Sequence, residues 1–427
     1  MAQAPTDGDG NPRKGEPTES ELKTDEAVGD RIAKAREFLG LTQATVAERM
    51  ALARTTQVAI EQGRRPVSVA ELYRYAEILS RPLDYFLGLG MWQEETDFRP
   101  QFRIMMDKLE SIPTGAPRRP GRPKSSSEAS AERLALMKFE TMCRNYHELE
   151  KVNDLPRIPM PELPQPRRLS VLEAEQLAAT LRAHLDIGND APIRDLRVGL
   201  EDAFGLRVFV SGQMGRILSA GFHHPEIAAC LLLAERPIPK MRFSLARALG
   251  HLLANRDEAV LDAGQSAKKN PVEAFANAFA LALLMPARGL RERFGAVRSD
   301  ASEVNDIALL YLARTFGVTL GALCLRLESL RLLSSSSLRR IEESIRKAGA
   351  AAEKELLSQS SSPDLPKWEA FPERYVFLAL RAYRKELIDR GRLAECLMTN
   401  ENDSSLRLLL YMASVADRHA QAGDSAS

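Results

Sequence analysis

Two sets of side chains in this sequence have types and spacings that could do chemistry. The first is the run Arg54-Thr55-Thr56-Gln57, followed by Arg64 and Arg65. An Arg fork can take both acceptors of a guanine edge, a Gln can pair with adenine, and a Thr methyl can meet the thymine methyl. Arg64 and Arg65 suit backbone phosphates, which position a protein without reading sequence. Gln43 suits either a phosphate or a buttressing contact to the segment that carries Arg54. The second set is Arg247, Ala248 and His251, with Glu273 further on. His251 lies four residues after Arg247, so the two share one face of a helix. At that spacing two His side chains can hold zinc, with a Glu beside the first as general base. Here Arg247 stands at the first ligand position and Ala248 at the base position. A guanidinium has no lone pair for a dication and repels it.

The elements that must position these groups are legible from caps and periodicity. Ile32, Ala35 and Leu39 form one helical face, and Gly40 ends that helix. Thr42 sits at an N-cap position before a short helix that turns Val46, Ala47 and Met50 inward. A turn at Ala51–Leu52 leads to a helix starting near Arg54, expected to bury Val58 and Ile60 and to end at Gly63. Two short helices joined by a tight turn form a helix-turn-helix, whose second helix enters the major groove with its first residues on base edges.

This segment closely resembles the XRE family (Cro and phage-repressor type) of helix-turn-helix domains. The likeness rests on Arg36, Gly40-Leu41-Thr42-Gln43, Ala47, Ile60-Glu61-x-Gly63 and Leu79…Pro82-Leu83-Asp84-Tyr85-Phe86. It implies a five-helix bundle over 28–90 that binds double-stranded operator DNA through Gln43, Arg54, Thr55, Thr56, Gln57, Arg64 and Arg65. Paired half-sites imply a homodimer.

Met241–Ala254 and Val272–Met285 are strongly helical, and Glu273 opens the second. Together they resemble the ImmA/IrrE metallopeptidase family, whose first helix carries His-Glu-Leu-Gly-His. This sequence keeps Leu249, Gly250, His251, Leu252 and Leu253, then Glu273, Ala276, Asn277, Phe279, Ala280, Leu283, Leu284, Met285 and Pro286. The likeness spans roughly 170–332 and implies a zincin-like α+β domain with Glu273 as a third metal ligand. With Arg247 and Ala248 in place of ligand and base, His251 and Glu273 fall short of the three protein ligands of a catalytic zinc site. A water there would also lack its proton acceptor. The expectation is therefore no metal, no cofactor and no catalytic residue. Arg247 could pair with Glu273 and replace the metal by an ion pair; the plainer reading of His251 is a hydrogen-bonded core histidine. His223 and His224 are adjacent at a strand end and face opposite sides, which makes them poor joint ligands.

Bulk properties bound the rest. The chain has 427 residues, 44% hydrophobic and 27% charged, enough for two or three globular domains. A net charge of +1 excludes a globally basic nucleic-acid binder, so DNA contact must come from a local face. Cys143, Cys230, Cys324 and Cys396 have no short spacing and read as buried reduced thiols. No apolar run is long enough to span a bilayer and the first residues lack a signal-peptide core, so a cytoplasmic chain without membrane contact is expected.

The organisation expected is mainly α, as α+β. Residues 1–27 are a polar tail and 28–90 the helix-turn-helix bundle. Residues 91–168 are a linker holding a helix at 131–151, 169–335 the peptidase-like domain, and 336–427 a helical region that is either a cap on the core or a second binding element. Strands are expected near 206–210, 217–223 and 227–234, in a small antiparallel sheet. Arg118–Lys124, in the linker, looks like an AT-hook, although Pro120 separates Arg119 from Gly121; a Pro-stiffened basic linker is the plainer reading. Three functions follow: a DNA-binding repressor whose second domain senses or docks a peptide, protein or small molecule; a metallopeptidase that cleaves a repressor; or an antitoxin that represses its own promoter.

Overall fold

The computed structural model describes residues 19–38, 41–79, 81, 83–88, 99–112, 126–264, 270–297, 306–334, 340, 343, 370–399, 403–404 and 406–411. It divides into two units, one ending at Asp97 and the other beginning at Phe98. Leu39-Gly40, Pro82 and the basic segment Arg118–Lys124 lie outside the described residues.

The first unit is a bundle of α1 (Glu19–Phe38), α2 (Gln43–Met50), α3 (Arg54–Glu61), α4 (Val69–Leu79) and α5 (Leu83–Leu87). α1 reaches back to Glu19, into the stretch expected to be tail. Thr42 caps α2 as expected, its Oγ1 accepting from the Thr45 amide at 3.1 Å. Ala51 ends α2 in the left-handed region, at φ 55°, which turns the chain into α3. Ser68 and Glu71 form a reciprocal capping box at the start of α4: the Glu71 amide donates to Ser68 Oγ at 3.3 Å, and the Ser68 amide donates to Glu71 Oε2 at 3.0 Å. Ile32, Ala35, Val46, Ala47, Met50, Ile60, Leu72, Leu79 and Phe86 fill the core. Gly29 lets α1 approach α3, because a Cβ there would stand 2.3 Å from the Ile60 carbonyl oxygen.

The second unit opens with α6 (Arg99–Ser111) and α7 (Ser126–Val152). Then come α8 (Val171–His184), α9 (Leu196–Phe204), β1 (Arg207–Ser211), β2 (Ser219–His224), β3 (Ala228–Ala234) and α10 (Ile238–Ala254). β4 (Val260–Asp262), α11 (Pro271–Leu284), α12 (Ala287–Val297), α13 (Asp306–Phe316), α14 (Leu320–Ser329), α15 (Glu373–Arg384) and α16 (Arg390–Cys396) complete it. The sheet has the order β1-β3-β2-β4. It is mixed, not antiparallel throughout: β1 runs parallel to β3, with Phe209 opposite Leu232, while β2 is antiparallel to both its neighbours.

Strand alternation sends side chains to two different layers. Val208, Ala229, Leu231 and Leu233 join the large core built from α8, α10, α11, α13 and α14. Phe209 and Phe222 point the other way, to α7, where each ring lies 6.0 Å from Phe139. The helix expected inside a linker is thus part of the domain. Its two ends are pinned by buried carboxylates: Glu132 to Arg216 at 2.9 Å and Glu150 to Arg207 at 2.6 Å.

The C-terminal helices cap the same layer. Asn153 Nδ2 donates to the Leu378 carbonyl at 3.0 Å, and Arg392 reaches Glu148 at 2.8 Å. The Val210 amide donates to the Ala370 carbonyl at 2.9 Å, which closes the outer edge of β1. At the opposite edge, Lys108 of α6 donates to the Ala259 carbonyl at 2.8 Å, just before β4. All four cysteines are buried and unpaired as disulfides. Among the described residues no single helix is long and apolar enough to cross a membrane.

Glu201 on α9 gives this unit a pH dependence near neutrality. Burial raises its carboxyl from 4.5 to about 7, against the pull of Arg197, whose Nε donates to it at 2.7 Å. The folded value exceeds the unfolded one, so the stabilisation is complete below pH 4.5 and is lost as pH rises through about 7. Glu201→Gln keeps a neutral acceptor for Arg197. Its melting temperature is expected to fall less than that of the wild type between pH 5 and 8; an equally steep profile would place the titration on another group.

Candidate nucleic-acid interface and peptidase-like centre

α3 presents its first turn to solvent. Arg54 and Thr55 are exposed and Thr56 is half-buried. Gln57 is not available to read a base: it is 0% exposed and faces the core beside Ile60. Its Nε2 donates to Glu61 Oε1 at 2.8 Å, and its Oε1 accepts from Tyr75 Oη at 2.6 Å. The expected adenine contact is corrected on this ground, because three residues of helix turn Gln57 onto the same side as Ile60. Val58, expected in the core, is only half-buried.

Glu61 is the hub that orients this helix, a role the sequence reading missed. Its carboxylate accepts from Arg36 Nε at 2.6 Å and Arg36 Nη2 at 2.9 Å, from Gln43 Nε2 at 2.9 Å, and from Gln57. One buried anion therefore ties α1, α2 and α3 together, and Gln57 extends the network to Tyr75 on α4. Burial works to raise the Glu61 carboxyl, but the donors from Arg36, Gln43 and Gln57 outweigh it and hold the group below its usual 4.5. Gln43 Nε2 makes the buttressing contact that the sequence allows, donating to Glu61. Arg64 is exposed, while Arg65 pairs with Glu71 at 2.8 Å. The exposed polar face of α3 thus comprises Arg54 and Thr55, with Thr56 half-buried beside them and Arg64 beyond the helix end.

In the second unit, Arg247, Ala248 and His251 lie on α10, Asp262 ends β4 and Glu273 opens α11. Gly250 allows α10 and α11 to approach, since a Cβ there would stand 3.0 Å from the Ala276 Cα. The Arg247 guanidinium is buried and paired twice: Nη2 donates to Glu273 Oε2 and Nη1 to Asp262 Oδ2. The ion pair between Arg247 and Glu273 is thus present, and Asp262 joins it as a partner that the sequence did not reveal. Ala248, fully buried, puts a methyl group at the position where the general base is expected. His251 is buried, and burial, with Arg247 adding to it, lowers its ring below 6.5 against the pull of Glu273 and Asp262. Its Nε2 lies 3.6 Å from Glu273 Oε2 and has no hydrogen-bond partner, unlike the bonded core histidine expected. A dication does not fit this donor set, because the guanidinium engages the same Glu273 oxygen that would ligate it. His223 and His224 stand at the end of β2 as expected.

These features define a helix-turn-helix DNA-binding module joined to a peptidase-like α+β domain. Residues 32–86 match the helix-turn-helix family, and residues 201–328 match the IrrE N-terminal-like domain. The chain carries an XRE-type helix-turn-helix unit fused to an ImmA/IrrE-like domain. Among solved structures it is similar to ComR from Streptococcus suis, at 11% identity over 94% of this chain and 100% of that one, with a TM-score of 0.15. It is also similar to a mutant of PrgX, at 13% identity over 85% of this chain and 100% of that one, with a TM-score of 0.14. Scores this low do not establish a shared overall fold.

Proposed function

We propose that this protein is a sequence-specific transcriptional regulator of the repressor type, whose peptidase-like domain is non-hydrolytic and serves to sense or dock an effector. The observation that carries the reading is the exposed first turn of α3, with Arg54 and Thr55 in solvent on a helix held by the Glu61 hub. In the major groove Arg54 would supply the guanine contact, Thr55 and Thr56 the methyl and hydroxyl contacts, and Arg64 a phosphate contact. Two copies on a two-fold operator are the natural arrangement for one such helix per chain. The non-hydrolytic reading of the second domain rests on Arg247 and Ala248 at the positions where ligand and base would stand.

The test is footprinting of the full chain on its own upstream region. Protection is expected, and Arg54→Ala should lose about 1–3 kcal/mol of affinity, roughly 5- to 150-fold, with relaxed preference at one base position. Undiminished protection by Arg54→Ala would move the recognition role elsewhere.

A further inference from the structure

We propose that the Arg247 guanidinium is a built-in cation standing in for a metal ion, so that α10, β4 and α11 are clamped without metal and the regulator is blind to zinc. The inference rests on the non-hydrolytic reading of the domain and extends it to what now holds the centre together.

The remaining ligand geometry is intact. His251 Nε2 and Glu273 Oε2 are 3.6 Å apart. Two ligands about 2.0–2.2 Å from one tetrahedral zinc ion stand about 3.3–3.6 Å from each other. The His251 nitrogen is buried with no hydrogen-bond partner, as a ligand atom deprived of its ion would be. The positive charge is supplied from the helix itself. Arg247 sits one turn before His251 on α10 and reaches Asp262 on β4 and Glu273 on α11. A metal holds such elements together by binding one ligand from each. The guanidinium does so with two charge-assisted hydrogen bonds, one to each carboxylate. One side chain therefore replaces both the first ligand and the ion.

The inference makes the centre convertible. Arg247→His restores an i, i+4 imidazole pair with His251 and leaves Glu273 as third ligand. Combining it with Asp262→Asn avoids a stranded carboxylate. Full-length proteins are titrated with zinc chloride by calorimetry and melted with zinc or with a chelator. Wild type is expected to bind no zinc through His251 and to show the same melting profile with zinc and with chelator. The double variant is expected to bind one zinc per chain and to melt higher with it, and to lose both gains when His251→Ala is added.

Three results would overturn the proposal: a wild type destabilised by chelator, zinc bound by the wild type in a His251-dependent manner, or a folded double variant indifferent to zinc. A double variant that folds neither with nor without zinc also counts against it, since the cation would then not be exchangeable for a metal. Zinc on the wild type without proteolysis sinks this inference alone. Zinc together with proteolysis that Glu273→Ala abolishes sinks the non-hydrolytic reading as well.

Discussion

Glu61→Ala is expected to unfold the N-terminal unit and abolish DNA binding while the unit from Phe98 onward stays folded. The substitution leaves the buried Arg36 guanidinium and the Gln43 and Gln57 amides without their common acceptor. Breaking a buried ion pair from one side costs about 3–5 kcal/mol, a large share of the roughly 5–15 kcal/mol that holds a domain together. Calorimetry should show the transition of the N-terminal unit vanish and that of the second unit persist. Glu61→Gln keeps an acceptor and the side-chain volume, so its cost is smaller, about 1–3 kcal/mol. Acid should mimic the substitution. The Glu61 carboxyl titrates below 4.5 in the folded state, so its stabilisation is complete above pH 4.5 and is lost as pH falls toward the folded value. If Glu61→Ala melted like the wild type, the hub would be ornamental and the orientation of α3 would need another cause.

Arg247→Ala is the second large effect. It strands Asp262, whose side chain is 2% exposed, and Glu273 around an empty volume with no cation between them. A loss of about 3–5 kcal/mol is expected, this time in the transition of the second unit. Because the damage is two uncompensated carboxylates, neutralising one should repair part of it. Arg247→Ala should therefore regain stability on mild acidification, and adding Asp262→Asn should recover part of the loss at neutral pH. Arg247→Lys places a point charge where a planar fork bridged two acceptors, so it should lie between wild type and Ala. A variant whose stability loss were the same at every pH would show that packing, not charge, is what Arg247 contributes.

How much was legible in the sequence follows the range over which each feature is determined. The helix-turn-helix could be read because Thr42, Ala51 and the inward spacing of Val46, Ala47, Met50 and Ile60 act within a few residues of one another. Gln57 misled because a polar side chain beside Arg and Thr reads as outward. Its acceptor Glu61 lies on the next turn, and Tyr75, eighteen residues on, is brought to it only by the packing of α4. The Arg247–Glu273 pair was legible because the likeness to the ImmA/IrrE pattern implies that the first ligand position of one helix and the opening Glu of the next meet at one centre. Asp262 was not, since β4 is three residues long and its placement beside the centre depends on pairing with β2, far back in the chain. The parallel pairing of β1 with β3 leaves no trace in strand spacing. α7 reads as a linker segment in the sequence because Pro-rich stretches flank it and the surfaces it covers, Phe209, Phe222 and Tyr375, come much later in the chain.

That last arrangement sets an order of events during synthesis. The core of the unit ending at Asp97 is filled by residues from within it, whereas the sheet of the second unit waits for Ala370 to close one edge and for α15 and α16 to roof α7. At about 5–20 residues per second, the nearly three hundred residues between take roughly 15–60 s to leave the ribosome. For that interval every nascent chain carries a complete helix-turn-helix unit ahead of a second unit whose closing segments have not yet been made.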